Sequence, residues 1–436
     1  MIRSVLPLGF IAASRFFGLF IILPVLSLYA LELDGANEFL AGLTIGAYAI
    51  TQMIFQLPFG SLSDRFGRKF MIFVGLIIFI IGSLICAIST DIYTMLFGRL
   101  LQGCGAVGAV ATAMISDLVS EDKRSKAMAM MGGMIGIAFA ISMILSPLLS
   151  REFGLSSLFY LSIIVTIFCI FLLFSAVPKE PKIHHHDPKI PLTKLLKQKD
   201  LAIMNLTNLM QKMLMSCAFV AIPIVLVKSL EYSTDNLWIV YLISMIFGFL
   251  AMGMAGFLGD GKGHSKKLLL IGVVLFIISF IGFGVANSAV SFIIFVVIFF
   301  IGFNIHEPIM QSCASKFAKS NQRGSALGIF NSFGYLGSFL GGAVGGYLLH
   351  SYNITALAVI LAVASAIWLL ILFQLSDPRI FQIIRLKNAD ISILDSVNGI
   401  VDRYKQNGYS IVKFNSNIIS RDEVISILGV SNEELQ

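Results

Sequence analysis

LLLIGVVLFIISFIGFGVANSAVSFIIFVVIFFIGFNIH, residues 268–306, contains no Asp, Glu, Lys or Arg. The only turn-forming stretch inside it is ANSAVS at 286–291, so it reads as two apolar helices in succession. A helix of about 20 residues crosses a hydrocarbon core of about 30 Å. Backbone groups have no water to bond there, which makes helices the natural spanning element for runs of this length.

The rest of the chain repeats the pattern. Of its 436 residues 57% are hydrophobic and 13% charged, with a mean hydropathy of +0.90. Soluble domains carry about twice that charge, so the chain is an all-α membrane protein. Spans are predicted at 5–30, 39–59, 70–90, 92–116, 127–149, 155–177, 201–227, 236–258, 268–287, 289–314, 324–349 and 353–375, twelve in all. The first is too long for a cleavable signal peptide, holds Arg15 and ends in no small-residue cleavage site.

Charge fixes the expected orientation, because cytoplasmic loops carry an excess of Lys and Arg. The segments after even-numbered spans hold eighteen Lys or Arg residues; those after odd-numbered spans hold only Arg151 and Lys228. Both termini and the central loop are therefore expected in the cytoplasm. The net charge of +7 follows from that topology and gives no reason to invoke nucleic acid. Cys86, Cys104, Cys169, Cys217 and Cys313 all fall in apolar spans and form no CxxC, so neither a disulfide framework nor a metal site is expected.

Two short echoes suggest an internal repeat. GSLSDRFG at 60–67 and GFLGDGKG at 256–263 both fit G-x-x-x-D-x-x-G, 196 residues apart; RSKAM at 124–128 and RGSAL at 323–327 lie 199 apart. Two matches at nearly one offset predict two six-helix halves, residues 1–177 and 200–375, joined by a linker at 178–199. Gly256 to Lys262 also fits the opening of a phosphate-binding loop. Gly263 stands where Ser or Thr would hold magnesium and the segment follows a membrane helix, so ATP binding is not expected. HHH at 184–186 has no supporting ligand cluster and reads as solvated loop.

GSLSDRFGRK at 60–69 resembles the loop signature of the major facilitator superfamily, and RLLQGCGA at 99–106 resembles its fourth-span signature R-x-x-Q-G-x-G-A. Gly133, Ser142, Ser146, Pro147 and Ser150 occupy the positions of the drug:proton antiporter signature of the fifth span, with three of its glycines replaced by serine. Serine still lets helices approach closely. SRFFGLFIILPVLSLYA at 14–30, GFNIHE at 302–307 and a small polar C-terminal region resemble the YajR group. The resemblance implies twelve transmembrane helices in two pseudo-symmetric bundles. It also implies a bacterial inner-membrane location, a small-molecule substrate, protons as the coupling ion, no cofactor and a monomer in the lipid bilayer.

Gly60 and Gly67 are expected to let the backbone turn and a neighbouring helix approach. Asp64 can pair with Arg68 and, as the family implies, meet the N-terminal end of the eleventh span near Ser325, with Asp117 as the second acid. Together with Arg65 and Lys69 these form a latch that joins the halves when the cytoplasmic side is closed. A simple topology anchor accounts for the basic residues but leaves Gly60, Asp64 and Gly67 unexplained.

Charges inside a membrane point to function. Of 24 acids only Glu307 lies well inside a span, which makes it the candidate proton carrier; a structural Glu paired with a base is the other reading. His306 beside it points about 100° away on a helix. Arg99 of the fourth-span signature is implied to act near proton transfer or to hold that helix's geometry. Lys212 is either the partner of Glu307 or a side chain reaching for the surface, and Arg15 is equally open. Tyr29, Gln52, Gln56, Asn304 and Gln311 complete the candidate cavity set, each also readable as a packing contact. Phe and Met are abundant but serve lipid-facing surface as well as a pocket. GSFLGGAVGG at 337–346 is expected to let the eleventh span pack closely.

From Ser376 the composition turns polar. Strands are predicted at 380–386 and 409–414 and helices at 391–406 and 420–428, separated by NG at 407–408. Residues 376–436 are thus expected to form a small α+β cytoplasmic domain, a reduced relative of the ferredoxin-like order that the resemblance implies. The whole reads as a proton-coupled exporter of small, lipophilic or drug-like molecules. A symporter or uniporter, or a transporter-like sensor signalling through the C-terminal domain, are the alternatives. No nucleophile–base or metal constellation supports an enzyme.

Overall fold

Pro24 divides the first span into two helices, Ile2–Phe20 (α1) and Leu23–Ala30 (α2), because it lacks the N–H that would continue the ladder to Phe20. The computed structural model describes residues 2–119, 121–178, 195–261, 263–319, 322–387, 391, 393–394, 397–406 and 409–428. Glu38–Phe66 (α3) starts at Asn37, whose side chain accepts from Leu40 N at 2.8 Å, and ends at Gly67. Gly67 has φ 99° and ψ 143°, which only glycine adopts cheaply, and Arg68–Ile88 (α4) follows at once. The fourth span breaks at Gly105 into Ile92–Cys104 (α5) and Val107–Leu118 (α6).

Glu121–Ser175 (α7) is 55 residues long and is interrupted at Gly154, where φ 73° and ψ 172° leave the helical region. Among the described residues eleven apolar helical stretches are long enough to cross a membrane, and one of them, Met130–Ser175, has 46 residues. At 1.5 Å per residue that is roughly 70 Å, far beyond one bilayer. The break at Gly154 divides it into the fifth and sixth expected spans, and the eleven stretches then account for all twelve. The remaining spans are Lys199–Ile224 (α8), Leu237–Gly256 (α9), Ser265–Val285 (α10), Ala289–Phe317 (α11), Arg323–Ser351 (α12) and Ile354–Leu372 (α13).

Helix α1 packs on α7, and α3 and α4 pack on α5; later in the chain α8 packs on α12, α9 and α10 on α11, and α10 on α13. Contacts between these two groups join α12 to α3, α9 to α7 and α2 to α8. The tightest use glycine: a Cβ on Gly42 would lie 2.4 Å from Gly342 O, one on Gly346 2.6 Å from Glu38 O, and one on Gly46 2.7 Å from Phe339 O. At the same end His350 Nδ1 lies 2.9 Å from Glu38 Oε2 and Arg151 Nε 3.0 Å from Asp235 Oδ1. Ser27 Oγ donates to Phe219 O and Val220 O at 3.1 Å, and the Tyr241 hydroxyl donates to Pro24 O at 3.0 Å. Toward mid-height the groups still meet at the Phe139 and Phe303 rings, 6.0 Å apart. At the other end a Cβ on Gly60, Gly132, Gly133, Gly136, Gly253, Gly256, Gly324 or Gly328 would meet open space. The helices thus close at the end of residues 24–46 and splay at the end of residues 60–69.

The C-terminal region is a three-stranded antiparallel sheet of Phe381–Lys387 (β1), Ile400–Gln406 (β2) and Tyr409–Asn415 (β3) in the order β1-β3-β2, followed by Arg421–Leu428 (α14). The helix expected over 391–406 is corrected: residues 400–406 form a strand, hairpinned onto β3 across 407–408, which lie outside the described residues. Pairing with β3 decides the conformation of a segment whose local charge pattern suits a helix equally well. Ile384, Leu386, Val412, Phe414 and Val424 fill the domain's interior. Helix α14 opens on a capping box: Glu423 N donates to Ser420 Oγ at 3.2 Å and Ser420 N to Glu423 Oε2 at 2.7 Å. That backbone N–H holds the Glu423 carboxyl below its ordinary range.

The domain is seated on helix ends. Ser376 N donates to Asp200 Oδ1 at 2.9 Å at the start of α8, and Lys266 Nζ to Phe373 O at 2.9 Å. Phe381 meets Phe317 edge to face, with ring centres 5.7 Å apart. The buried Lys413 of β3 donates to Lys316 O and, at 3.0 Å, to Ala318 O. It thereby satisfies carbonyls at the C-terminal end of α11, where a cation is electrostatically favoured.

Candidate functional site

The break at Gly105 explains a buried charge. Ala106 N turns back to Cys104 O, so the carbonyl of Gln102 loses its usual helical partner, and Val107 N turns back to Gly105 O at 2.8 Å. Arg15 Nη2 donates to Gln102 O and Gly105 O, at 3.0 and 3.1 Å, and to Gln52 Oε1 at 2.9 Å. Arg99 donates from Nε to Thr44 O at 3.1 Å and from Nη1 to Gln102 Oε1 at 2.6 Å. Gln102 Nε2 in turn donates to Ser83 Oγ at 2.8 Å. Arg15 lies over the Phe79 ring and Arg99 over the Tyr48 ring, each at 4.8 Å. Arg15 is 2% and Arg99 0% exposed, so neither reaches for the surface.

Glu307 sits on α11 facing α8. Its Oε1 accepts from Lys212 Nζ and, at 3.1 Å, from Gln211 Nε2. Lys212 Nζ also stands 5.0 Å from the centre of the Phe303 ring. The pair is partly exposed, and Gln311, one turn on along the same face of α11, is exposed. Lys212 is therefore the base beside Glu307. His306 turns away into packed interior: its Nε2 bonds Leu269 O at 2.8 Å and its ring meets Phe276 and Trp368 edge to face. The missing side chain of Gly272 makes room for it. Asn304 is buried and bonds back to Phe300 O at 2.8 Å, filling the space left by Gly248. Tyr29 lies at the closed end on α2, and Gln56 is half-buried one turn beyond Gln52.

In the loop at 60–69, Arg68 Nη2 lies 2.6 Å from Asp64 Oδ1 and its Nε 3.1 Å from Asp117 Oδ2, while Nη1 donates to Ser63 Oγ. Lys69 Nζ donates to Val177 O, and Arg65 lies over the Phe66 ring at 5.9 Å. The expectation for Gly60 is corrected: it lies inside α3 and makes no turn, and no helix approaches it here. Gly67 alone turns the chain. The echo at 256–263 behaves alike, with Gly263 at φ +71° and Gly256 in open space. Ser325 is exposed, and the side chain of Asp64 is 62% exposed.

On α7, Ser142 and Ser146 are fully buried, with Ser142 Oγ donating to Phe17 O at 3.4 Å; Ser150 Oγ donates to Pro147 O at 3.3 Å, and Gly133 faces open space. Sequence reasoning missed Gln211, Gln102, the Glu38–His350 pair and Lys413. The adjacency of Gln211 to Lys212 was available as a signal, and so was the acid opening the second span opposite a histidine ending the eleventh. Lys413 carried none, because a Lys in a polar strand ordinarily faces water. The histidine run at 184–186 lies outside the described residues.

Residues 8–342 and 205–388 match the family model of the Major Facilitator Superfamily. The chain belongs to that superfamily. It is a multi-pass membrane transporter and not an enzyme. It is 32% identical over 390 residues to the inner membrane transport protein YajR of Escherichia coli strain K12, covering 88% of this chain and 86% of that one. It is 24% identical over 359 residues to multidrug resistance protein 2 of Bacillus subtilis strain 168, covering 76% and 85%. Among solved structures, a D-xylose–proton symporter superposes with a TM-score of 0.71 at 16% identity, covering 86% of this chain and 98% of that one, a likeness of fold.

Proposed function

We propose that the protein is a proton-coupled secondary transporter that exports small lipophilic molecules from the bacterial cytoplasm by alternating access. The observation that carries this reading is the pair of Lys212 and Glu307, an acid well inside a span held by one base near the open end of the molecule. Separating the two leaves a carboxylate in a poorly hydrated site, which favours taking up a proton; re-forming the pair favours releasing it. A substrate that disturbs α8 against α11 would thereby be linked to proton movement. The name of the Bacillus relative, a multidrug resistance protein, supports a drug-like cargo.

In this reading residues 1–177 and 200–375 are the two pseudo-symmetric bundles, 178–199 the cytoplasmic linker and 376–436 a cytoplasmic domain of a monomer. The Lys and Arg bias supports placing both termini and the loop at 60–69 in the cytoplasm, which makes the conformation described inward-open. Closure of that side brings Asp64 to the N-terminal end of α12 near Ser325, where unbonded N–H groups favour a carboxylate. The open space at Gly60, Gly324 and Gly328 leaves room for that approach. Arg68, shared by Asp64 and Asp117, holds the latch in position meanwhile.

The test is proton release from detergent-solubilised protein as a panel of lipophilic compounds is added, comparing wild type with Glu307→Gln. Release that disappears in the variant is the expected result. A compound that binds while both proteins release the same protons makes Glu307 structural and overturns the coupling.

A further inference from the structure

Arg15 and Arg99 are two guanidinium groups in one membrane interior, and neither has an ion pair among the described residues. Among the described residues, the ionisable groups that act on them are Tyr48, Tyr335, Cys86 and one another, none of them a carboxylate. They share Gln102, whose backbone carbonyl takes Arg15 and whose side-chain oxygen takes Arg99, so both acceptors of that residue are occupied. Nε and Nη1 of Arg15 and Nη2 of Arg99 are buried and have no acceptor among the described residues. A guanidinium keeps its charge at any physiological pH, so these donors cannot be silenced by losing a proton. Buried charges in proteins are ordinarily paired, and the only paired cation among the candidate cavity residues, Lys212, already has its acid.

We propose that Arg15 and Arg99 form an anion site, and that the transported molecule carries an anionic group, a carboxylate or its equivalent, which these unbonded N–H groups bind. The proposal rests on the transport reading above and narrows it from lipophilic molecules to lipophilic anions. A guanidinium N–H makes a charge-assisted hydrogen bond to a carboxylate oxygen, shorter and stronger than a neutral one. Gln52 Oε1 and the carbonyls of Gln102 and Gly105 hold Arg15 through Nη2, which leaves the hydrogens of its Nε and Nη1 for the anion. Phe79 and Tyr48 cover the flat faces of the two groups, and Phe16, Tyr335 and Phe339 pack on the same cluster, a lining suited to an aromatic or aliphatic body behind the charge. The same donors would accept a halide, and the experiment separates the two sources.

The full-length protein in detergent is equilibrated at neutral pH with radiolabelled benzoate and, separately, with radioactive chloride, for wild type, Arg15→Gln and Arg99→Gln. The expected result is saturable benzoate binding to wild type, weakened about tenfold or more in each arginine variant, the scale of one charge-assisted partner. Chloride that binds with the same arginine dependence and is not displaced by benzoate assigns the site to an inorganic anion and overturns the substrate claim. Absence of saturable binding of either anion to wild type overturns the site itself, whatever the variants do, and so does binding that survives in both folded arginine variants. Anion binding that holds while wild type releases no substrate-linked protons removes the coupling reading and leaves the anion site standing.

Discussion

Lys413 Nζ donates to Ala318 O over 3.0 Å, so a strand of the C-terminal domain caps the end of the helix that carries Glu307. Lys413 is 5% exposed and also faces the Phe381 ring at 5.5 Å. Replacement by Met keeps the apolar stem and removes the donor, which leaves carbonyls at the end of α11 short of a partner at a cost of about 1–3 kcal/mol. Lys413→Met is expected to loosen the domain from the helices without unfolding it, since the domain has its own buried core. Hydrogen exchange should rise at the end of α11 and the start of β1 and stay unchanged in β3. Equal exchange in both proteins would mean that the seat is held by the Phe317–Phe381 contact instead.

The Lys212–Glu307 pair should respond to mutation as a unit. Lys212→Met leaves a lone carboxylate in a partly closed site, and Glu307→Gln leaves a lone ammonium. Each single change is expected to cost about 1–3 kcal/mol, below the range for fully buried pairs because both side chains are partly exposed. The double variant should recover part of that loss, giving a coupling of about 1 kcal/mol or more in thermal unfolding of the detergent-solubilised protein. Additive effects would show that the two groups do not depend on each other.

Spans were legible because their signal is summed over about 20 residues and each charge in lipid is expensive. Individual contacts were not. The charge-free block at 268–306 resolves into α10 and α11 with the turn where ANSAVS predicts it. By contrast IVDRYKQ at 400–406 carries too little periodicity to tell a strand from a helix, and only its pairing with β3 decides. Glu307 stood out as an acid in an apolar helix, and Lys212 was named as one of two outcomes. What makes Arg15 tolerable, carbonyls turned toward it around Gly105, depends on a helix break that glycine in an apolar span permits but does not announce.

The closed end rests on helix backbones touching at Gly46 and Gly346 more than on the Glu38–His350 pair. Gly46→Val would thrust a branched side chain against Phe339 O, where even a Cβ would sit at 2.7 Å, so that end should fail to close. Glu38→Gln removes a pair whose side chains are 37% and 47% exposed; such pairs contribute about 0–1 kcal/mol, and the populations should move by less than about fivefold. Spin labels on Ala36→Cys and Tyr352→Cys, one on each side of the contact, report the separation. A longer distance in Gly46→Val and a small shift in Glu38→Gln are expected; the reverse order would assign closure to the ion pair.

Two residues of the loop at 60–69 should separate stability from switching. Gly67 has φ 99° and ψ 143°, so Gly67→Ala is expected to cost about 1–3 kcal/mol and lower the thermal midpoint in the conformation described. Asp64→Asn acts on a side chain that is 62% exposed and pairs with Arg68 across the turn at Gly67, so the midpoint should move little, within about 0.5 kcal/mol. If Asp64 meets the N-terminal end of α12 only when this side closes, Asp64→Asn withdraws a favourable contact of about 0.3–1 kcal/mol from the other conformation alone. The fraction of molecules open at residues 60–69 should then rise about two- to fivefold, read from the distance between spin labels on Ser61→Cys and Ser325→Cys. An Asp64→Asn variant that lowers the midpoint as much as Gly67→Ala and leaves that distance unchanged would make Asp64 a support of the loop itself and remove it from the latch.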